Sequence, residues 1–277
     1  MSVPAPLRLR PLEIGDLLDE TFRMYRRHFL LFAGISVILS IPTAALYGSY
    51  FALLGGFAQQ TFSGQSANTT AVVGSLFGLG LLLVLIIVLI PFTYGAVTYA
   101  ACESAMGRSV TLGSMLRGVL HRYFQLLGYW LLIGLMFSVG ICLFPLWIWI
   151  GVCWVAVMPV MFVEGAGLGT AMGRSWHLVE GRWWRTFLVL FLMAIVFYVV
   201  QLGLSAFLVI AQELLLLLVS SFVVVAISGA LQTIVDALVN PVLQIVIVLV
   251  YFDLRVRREA LDLFQLAQRA AGPQLAP

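Results

Sequence analysis

Lysine is absent from this chain, and all fifteen of its basic residues are arginine. Charge of either sign is scarce: charged residues make up 10% of 277, against 62% hydrophobic, whereas a soluble domain carries about 25% charged residues. That deficit excludes a soluble globular fold and, with a mean hydropathy of +1.07, leaves a polytopic membrane protein. The arginine-only usage reads as the bias of a GC-rich bacterial genome. Cysteine is nearly missing too. Cys102, Cys142 and Cys153 fall at or inside apolar segments without metal-ligand spacing, which leaves apolar packing as their reading. His28, His121 and His177 have no carboxylate or cysteine at ligand spacing, so no metal site is read. No Walker loop, G-x-S-x-G or H-E-x-x-H motif occurs, and no polar block is long enough for a catalytic domain. An enzyme, catalytic residues, a cofactor and a nucleic-acid partner are therefore not expected.

What is present is hydrocarbon in long runs. A helix needs about 20 apolar residues to cross a bilayer, and that rule predicts an all-α bundle of six transmembrane helices near 29–57, 72–101, 126–144, 145–163, 186–210 and 231–252. The polar residues 1–28 lack the apolar core of a signal peptide, so the first run is expected to remain as a span. The stretch 213–229 is apolar but short, and reads either as a re-entrant or interfacial helix or as an extension of its neighbours. The chain is read as one integral membrane domain, 1–277, with 1–28 and 253–277 outside the bundle.

The arginines orient it. Arg8, Arg10, Arg23, Arg26 and Arg27 precede the first span; Arg108, Arg117 and Arg122 lie between the second and third; Arg174, Arg182 and Arg185 lie between the fourth and fifth; Arg255, Arg257, Arg258 and Arg269 follow the sixth. The alternate connections, 58–71, the turn at Phe144-Pro145 and 211–230, carry none. The positive-inside rule makes the arginine side cytoplasmic, with both termini there and the inner membrane of a bacterium as the location.

Three segments leading into the odd-numbered spans repeat an i, i+3, i+4, i+7 apolar spacing: Ile14, Leu17, Leu18, Thr21, Phe22 and Tyr25; then 112–124; then Leu168, Ala171, Met172, Ser175, Trp176, Val179 and Trp183. Each predicts an amphipathic helix lying in the cytoplasmic interface. Each ends in a basic-aromatic corner, holding Arg27, Arg122, and Trp183 with Trp184 and Arg185, a pattern suited to phosphate contact and headgroup-depth anchoring. The pentapeptide AMGRS occurs at 105–109 and at 171–175, which hints at an internal repeat.

No charge falls in the middle of an expected span, which argues against coupling through an intramembrane carboxylate. The polar residues inside are Gln201, Asn240 and Gln244, and Asn240-Pro241 is the best candidate for a broken or kinked helix, its alternative being an interhelical hydrogen bond. Charge concentrates instead in YFDLRVRREALDLF, 251–264, where Asp253 with Arg257, Arg255 with Glu259 and Arg258 with Asp262 are all spaced i, i+4. This stretch is expected to run straight out of the sixth span as a self-neutralising helix, with Leu261, Leu263, Phe264 and Leu266 for docking. Asp253, where the span leaves the hydrocarbon, is expected to pair with a corner arginine, Arg27, Arg122 or Arg185.

The two ends, LRPLEIGDLLDETFRMYRRHF and YFDLRVRREALDLF, resemble the family named for the membrane domain of glycerophosphoryl diester phosphodiesterases. Phe252 and Ala260 depart from that family's second tyrosine and its glycine. The resemblance implies a bacterial membrane module without the catalytic barrel that gives the family its name. The expectation is therefore a non-enzymatic membrane protein that organises membrane lipids, or a membrane or cytoplasmic partner protein, at its cytoplasmic face. Lipid or partner contact is assigned to Arg27, Arg122, Trp183, Trp184, Arg185, Asp253 and Arg255. The rival is a transporter or lipid-translocating protein with a cavity lined by Gln201, Asn240 and Gln244.

Overall fold

The structure, a computed structural model, describes residues 13–62, 69–139, 144–217 and 221–259. Among the described residues every regular element is a helix: α1 (Ile14–Arg27), α2 (Phe29–Phe62), α3 (Thr69–Ala105), α4 (Leu112–Val139), α5 (Phe144–Cys153), α6 (Val157–Val163), α7 (Leu168–Val179), α8 (Trp183–Leu216) and α9 (Ser221–Glu259). Five stretches are long and apolar enough to cross a membrane: Phe29–Gly56, Val72–Ala105, Pro145–Val163, Trp183–Leu216 and Ile227–Glu259. The chain is a multi-pass helical membrane protein.

Several boundaries differ from expectation. The connections at 58–71 and 211–230 shrink, because α2 runs on to Phe62 and α8 to Leu216, while α9 begins at Ser221. The stretch 213–229 thus extends its neighbours. Residues 112–124 do not form a separate interfacial helix. They are the first three turns of α4, which has no proline to stop it. Leu116, Leu120 and Phe124 share their exposed face with Leu131 and Leu135 farther along. Asn240-Pro241 does not break α9, which is continuous through it.

The break falls elsewhere, between α5 and α6. The Pro159 ring would clash with the carbonyl of residue 155, four positions back, if the helix ran through. The chain unwinds at 154–156, where the Val157 amide bonds the Trp154 carbonyl at 3.2 Å in a tighter turn. The two AMGRS copies adopt different structures. The first ends α3, with Gly107 at φ 75°, a backbone conformation that favours glycine; the second lies inside α7. The pentapeptide is not a structural repeat.

The chain divides into two compact units. Unit one comprises 1–28, 98–194 and 242–277; unit two comprises 29–97 and 195–241. In unit one the end of α9 is largely buried: Ile245, Val248, Leu249, Tyr251, Leu254 and Val256 are all core, while Phe252, Arg255, Arg257, Arg258 and Glu259 are partly exposed. The helix expected to run out of the sixth span and dock is here a central post of this unit. In unit two, Gly229 of α9 sits so close to Phe51 of α2 that a Cβ there would lie 3.0 Å from the ring. Most of the unit's outward residues are apolar, among them Phe77 and Phe207.

Candidate functional site

The charged end of α9 organises the polar structure of unit one. A charge inside a packed protein must be matched by a partner, and each described charge on this helix end has one. The Asp253 side chain is 1% exposed and receives Arg185 Nη1 at 2.5 Å and Arg257 Nε at 3.0 Å. Of the three corner arginines, Asp253 meets Arg185. Arg255 Nε donates to Glu259 at 2.9 Å, and its Nη1 to the Tyr251 hydroxyl at 3.3 Å. The Tyr251 hydroxyl in turn donates to Glu164 Oε1 at 2.9 Å. Glu164, the cap of α6, also accepts from Arg174 Nε at 3.1 Å, and Arg174 reaches on to Glu259. Arg258 donates to the Glu180 carbonyl at 2.8 Å and carboxylate at 3.1 Å and lies against His177. Arg182 Nη2 donates to the Arg257 carbonyl at 3.1 Å. Asp262, the expected partner of Arg258, lies outside the described residues, as do Leu261, Leu263, Phe264 and Leu266.

The remaining corner residues do other work. Arg122 Nη1 donates to the Ala166 carbonyl at 3.2 Å and to Gln125 at 3.4 Å. Arg26 and Arg27 are exposed, and Arg117 is exposed on α4. Trp183 stacks on Phe187 and donates from Nε1 to the Trp149 carbonyl at 3.2 Å, while Trp184 is 77% exposed. Burial first, then the neighbouring Arg27, pushes the His28 imidazole below its ordinary value; burial pushes the Tyr25 and Tyr123 hydroxyls up. Among the described residues no group of three or more His, Cys, Asp or Glu is placed to hold a metal ion.

The polar residues of the expected cavity fall in different units. Gln244 belongs to unit one, where its Oε1 accepts from Thr98 Oγ1 at 2.8 Å. Gln201 belongs to unit two and donates to Asp236, which also accepts from Gln232 at 2.9 Å; Gln232 further bonds Ser205 at 3.0 Å. Asn240 is half-buried in unit two. Sequence reasoning missed the group around Asp236, and it also missed Arg174, Glu164 and Glu180. Arg174 reads from the sequence only as one of the cytoplasmic arginines, since its partners Glu164 and Glu259 lie 10 and 85 residues away.

Compared with protein-family models, curated proteins and solved structures, the chain finds no match in any of the three.

Proposed function

We propose that this is a non-enzymatic protein of the bacterial inner membrane, with both termini and all arginine-bearing segments cytoplasmic, that organises anionic lipid at that face. One observation carries the reading: the described arginines differ in their partners, Arg23 and Arg108 pairing locally with Glu20 and Glu103. Arg174, Arg185, Arg255, Arg257 and Arg258 are engaged with carboxylates around α9. Arg26, Arg27, Arg117, Arg122 and Arg182 have no acidic partner among the described residues. These stand beside Tyr25, Phe124, Trp183 and Trp184. Guanidinium groups bind phosphate in forked pairs, and aromatic rings settle at headgroup depth, so the exposed Arg26, Arg27 and Arg117 suit anionic headgroups, while Arg122 and Arg182 also hold the Ala166 and Arg257 carbonyls. In this reading α1 and α7 lie in the interface. An even number of crossings, six as expected from the sequence or four, satisfies the arginine partition. The resemblance of the chain's ends to the glycerophosphoryl diester phosphodiesterase membrane-domain family belongs to the same proposal.

The test is the lipid retained through purification in mild detergent. Replacing Arg26, Arg27, Arg117 and Arg122 together by Gln should lower co-purified anionic lipid several-fold and leave zwitterionic lipid unchanged. Equal anionic lipid in both proteins would remove the proposal.

A transporter is the second reading, favoured by Asp236 with Gln201, Gln232 and Ser205, since an ionisable group among apolar helices is costly unless used. The Gln201 Oε1 atom is buried there without a hydrogen-bond partner. Asp236→Asn abolishing a measured flux would support it; a protein with no flux before or after the change would not.

A further inference from the structure

We propose that the chain between α3 and α8 never reaches the far side of the membrane. The end of α4 and all of α5 dip into the cytoplasmic leaflet as a re-entrant hairpin whose partner is the acyl chains of that leaflet, and only α2, α3, α8 and α9 cross. This rests on the reading that the arginine-bearing segments are cytoplasmic.

The first argument is level. Ser175 of α7 donates to the Cys153 carbonyl at 2.7 Å and accepts from the Ala156 amide at 3.1 Å. Its neighbour Arg174 holds Glu164 and Glu259. The middle of the apolar stretch Pro145–Val163 is therefore fastened beside a cluster of charges that stays out of hydrocarbon. From Cys153 back to Phe144 there remain ten residues, about 15 Å of helix, or half of the roughly 30 Å core. Trp149, halfway along, is still at the head of α8: its carbonyl accepts from Trp183, and its ring meets Trp176 with centroids 4.7 Å apart.

The second argument is an independent length. The Tyr129 hydroxyl donates to the Trp154 carbonyl at 3.2 Å, which sets Tyr129 of α4 level with the same break. Ten residues of α4 remain from there to Val139, again about 15 Å. The two arms of the hairpin match each other and fall short of the far face.

The third is surface. Leu131 and Leu135 on the α4 arm and Leu146 on the α5 arm are exposed, Leu135 at 62%, as acyl-chain contact requires. In contrast α6 has Val157, Val160 and Met161 fully buried and presents no lipid face there. Removing two crossings at once keeps 102–125 and 164–185 on one side, so the arginine partition is untouched.

The test uses the full chain with an epitope tag inserted between Ile141 and Cys142, and Ser66→Cys as the reporter for the outer face. Antibody and impermeant maleimide are applied to intact spheroplasts, to inverted vesicles and after detergent. The hairpin requires a Ser66 thiol that reacts from outside and a tag silent in spheroplasts, bound only in inverted vesicles or after detergent. Ser138→Cys, which adds no polar bulk, should likewise be unreactive from outside. A tag or Ser138 thiol reached in intact spheroplasts beside a reactive Ser66 overturns the hairpin and restores six crossings. A Ser66 thiol reactive only in inverted vesicles overturns the orientation itself.

Discussion

The Ser175 hydroxyl bridges the two ends of the α5–α6 break, donating to the Cys153 carbonyl and accepting from the Ala156 amide. An unwound turn in an apolar setting leaves backbone groups without partners, and each costs free energy unless something supplies a hydrogen bond. Ser175→Ala removes that supply, and leaving one or both groups unsatisfied should cost about 1–3 kcal/mol. Ser175→Thr retains the hydroxyl and should lose less. Equilibrium unfolding in detergent distinguishes the two, and equal losses would mean that size, not hydrogen bonding, matters here.

Close approach of α3 and α4 gives a second expectation. A Cβ on Gly118 would lie 2.5 Å from the Tyr99 ring, which is itself packed edge-on against Phe162 with centroids 5.6 Å apart. Gly134 on the same helix has nothing within 4 Å of such a Cβ. Gly118→Ala should therefore destabilise by roughly 1–3 kcal/mol. Gly134→Ala should be neutral or stabilising by up to about 1 kcal/mol, through helix propensity. Melting temperatures that fall equally for both would contradict the packing.

Adjacent tryptophans should separate in the same way. Trp183 is half-buried, stacked on Phe187 and bonded to Trp149, whereas Trp184 points outward. Trp183→Ala should cost roughly 2–3 kcal/mol of stability in detergent. Trp184→Ala should cost less than about 1 kcal/mol, and its effect should appear in lipid retention instead.

For Thr98 and Gln244, hydrogen-bonded inside unit one, the informative comparison is one partner against two. Thr98→Val alone strands the Gln244 amide oxygen and should cost about 1–3 kcal/mol; Thr98→Val with Gln244→Leu should recover much of that loss. A double variant worse than the single would show that the amide has a further role.

Local spacing made α1, α7 and the long apolar helices legible, because the buried positions Leu17, Thr21, Ala171, Ser175 and Val179 carry the helical period in the sequence itself. The i, i+4 pairs Asp253 with Arg257 and Arg255 with Glu259 were legible for the same reason. The helix break was not. Asn240-Pro241 drew the expectation because an amide stands next to a proline. The break at 154–156 instead depends on Ser175 and on Tyr129, about twenty and twenty-five residues away, respectively, and hydropathy registers neither. Burial of α9 was hidden similarly. Docking of this end and a corner-arginine partner for Asp253 were expected, but its partners Arg174, Glu164 and Glu180 lie 75 or more residues upstream, and local spacing does not identify them.

That the charged end of α9 is a buried post held by its partners, not a solvated helix leaving the membrane, is tested most directly by a double-mutant cycle on Asp253 and Arg185. The four proteins are the parent, Asp253→Asn, Arg185→Gln and the double variant, compared by equilibrium unfolding in one detergent. Removing one partner of a buried pair costs about 3–5 kcal/mol, so each single change should be strongly destabilising and the coupling energy should be about 2 kcal/mol or more. A coupling below about 0.5 kcal/mol, the size found for exposed pairs, would contradict the post and return the helix end to solvent.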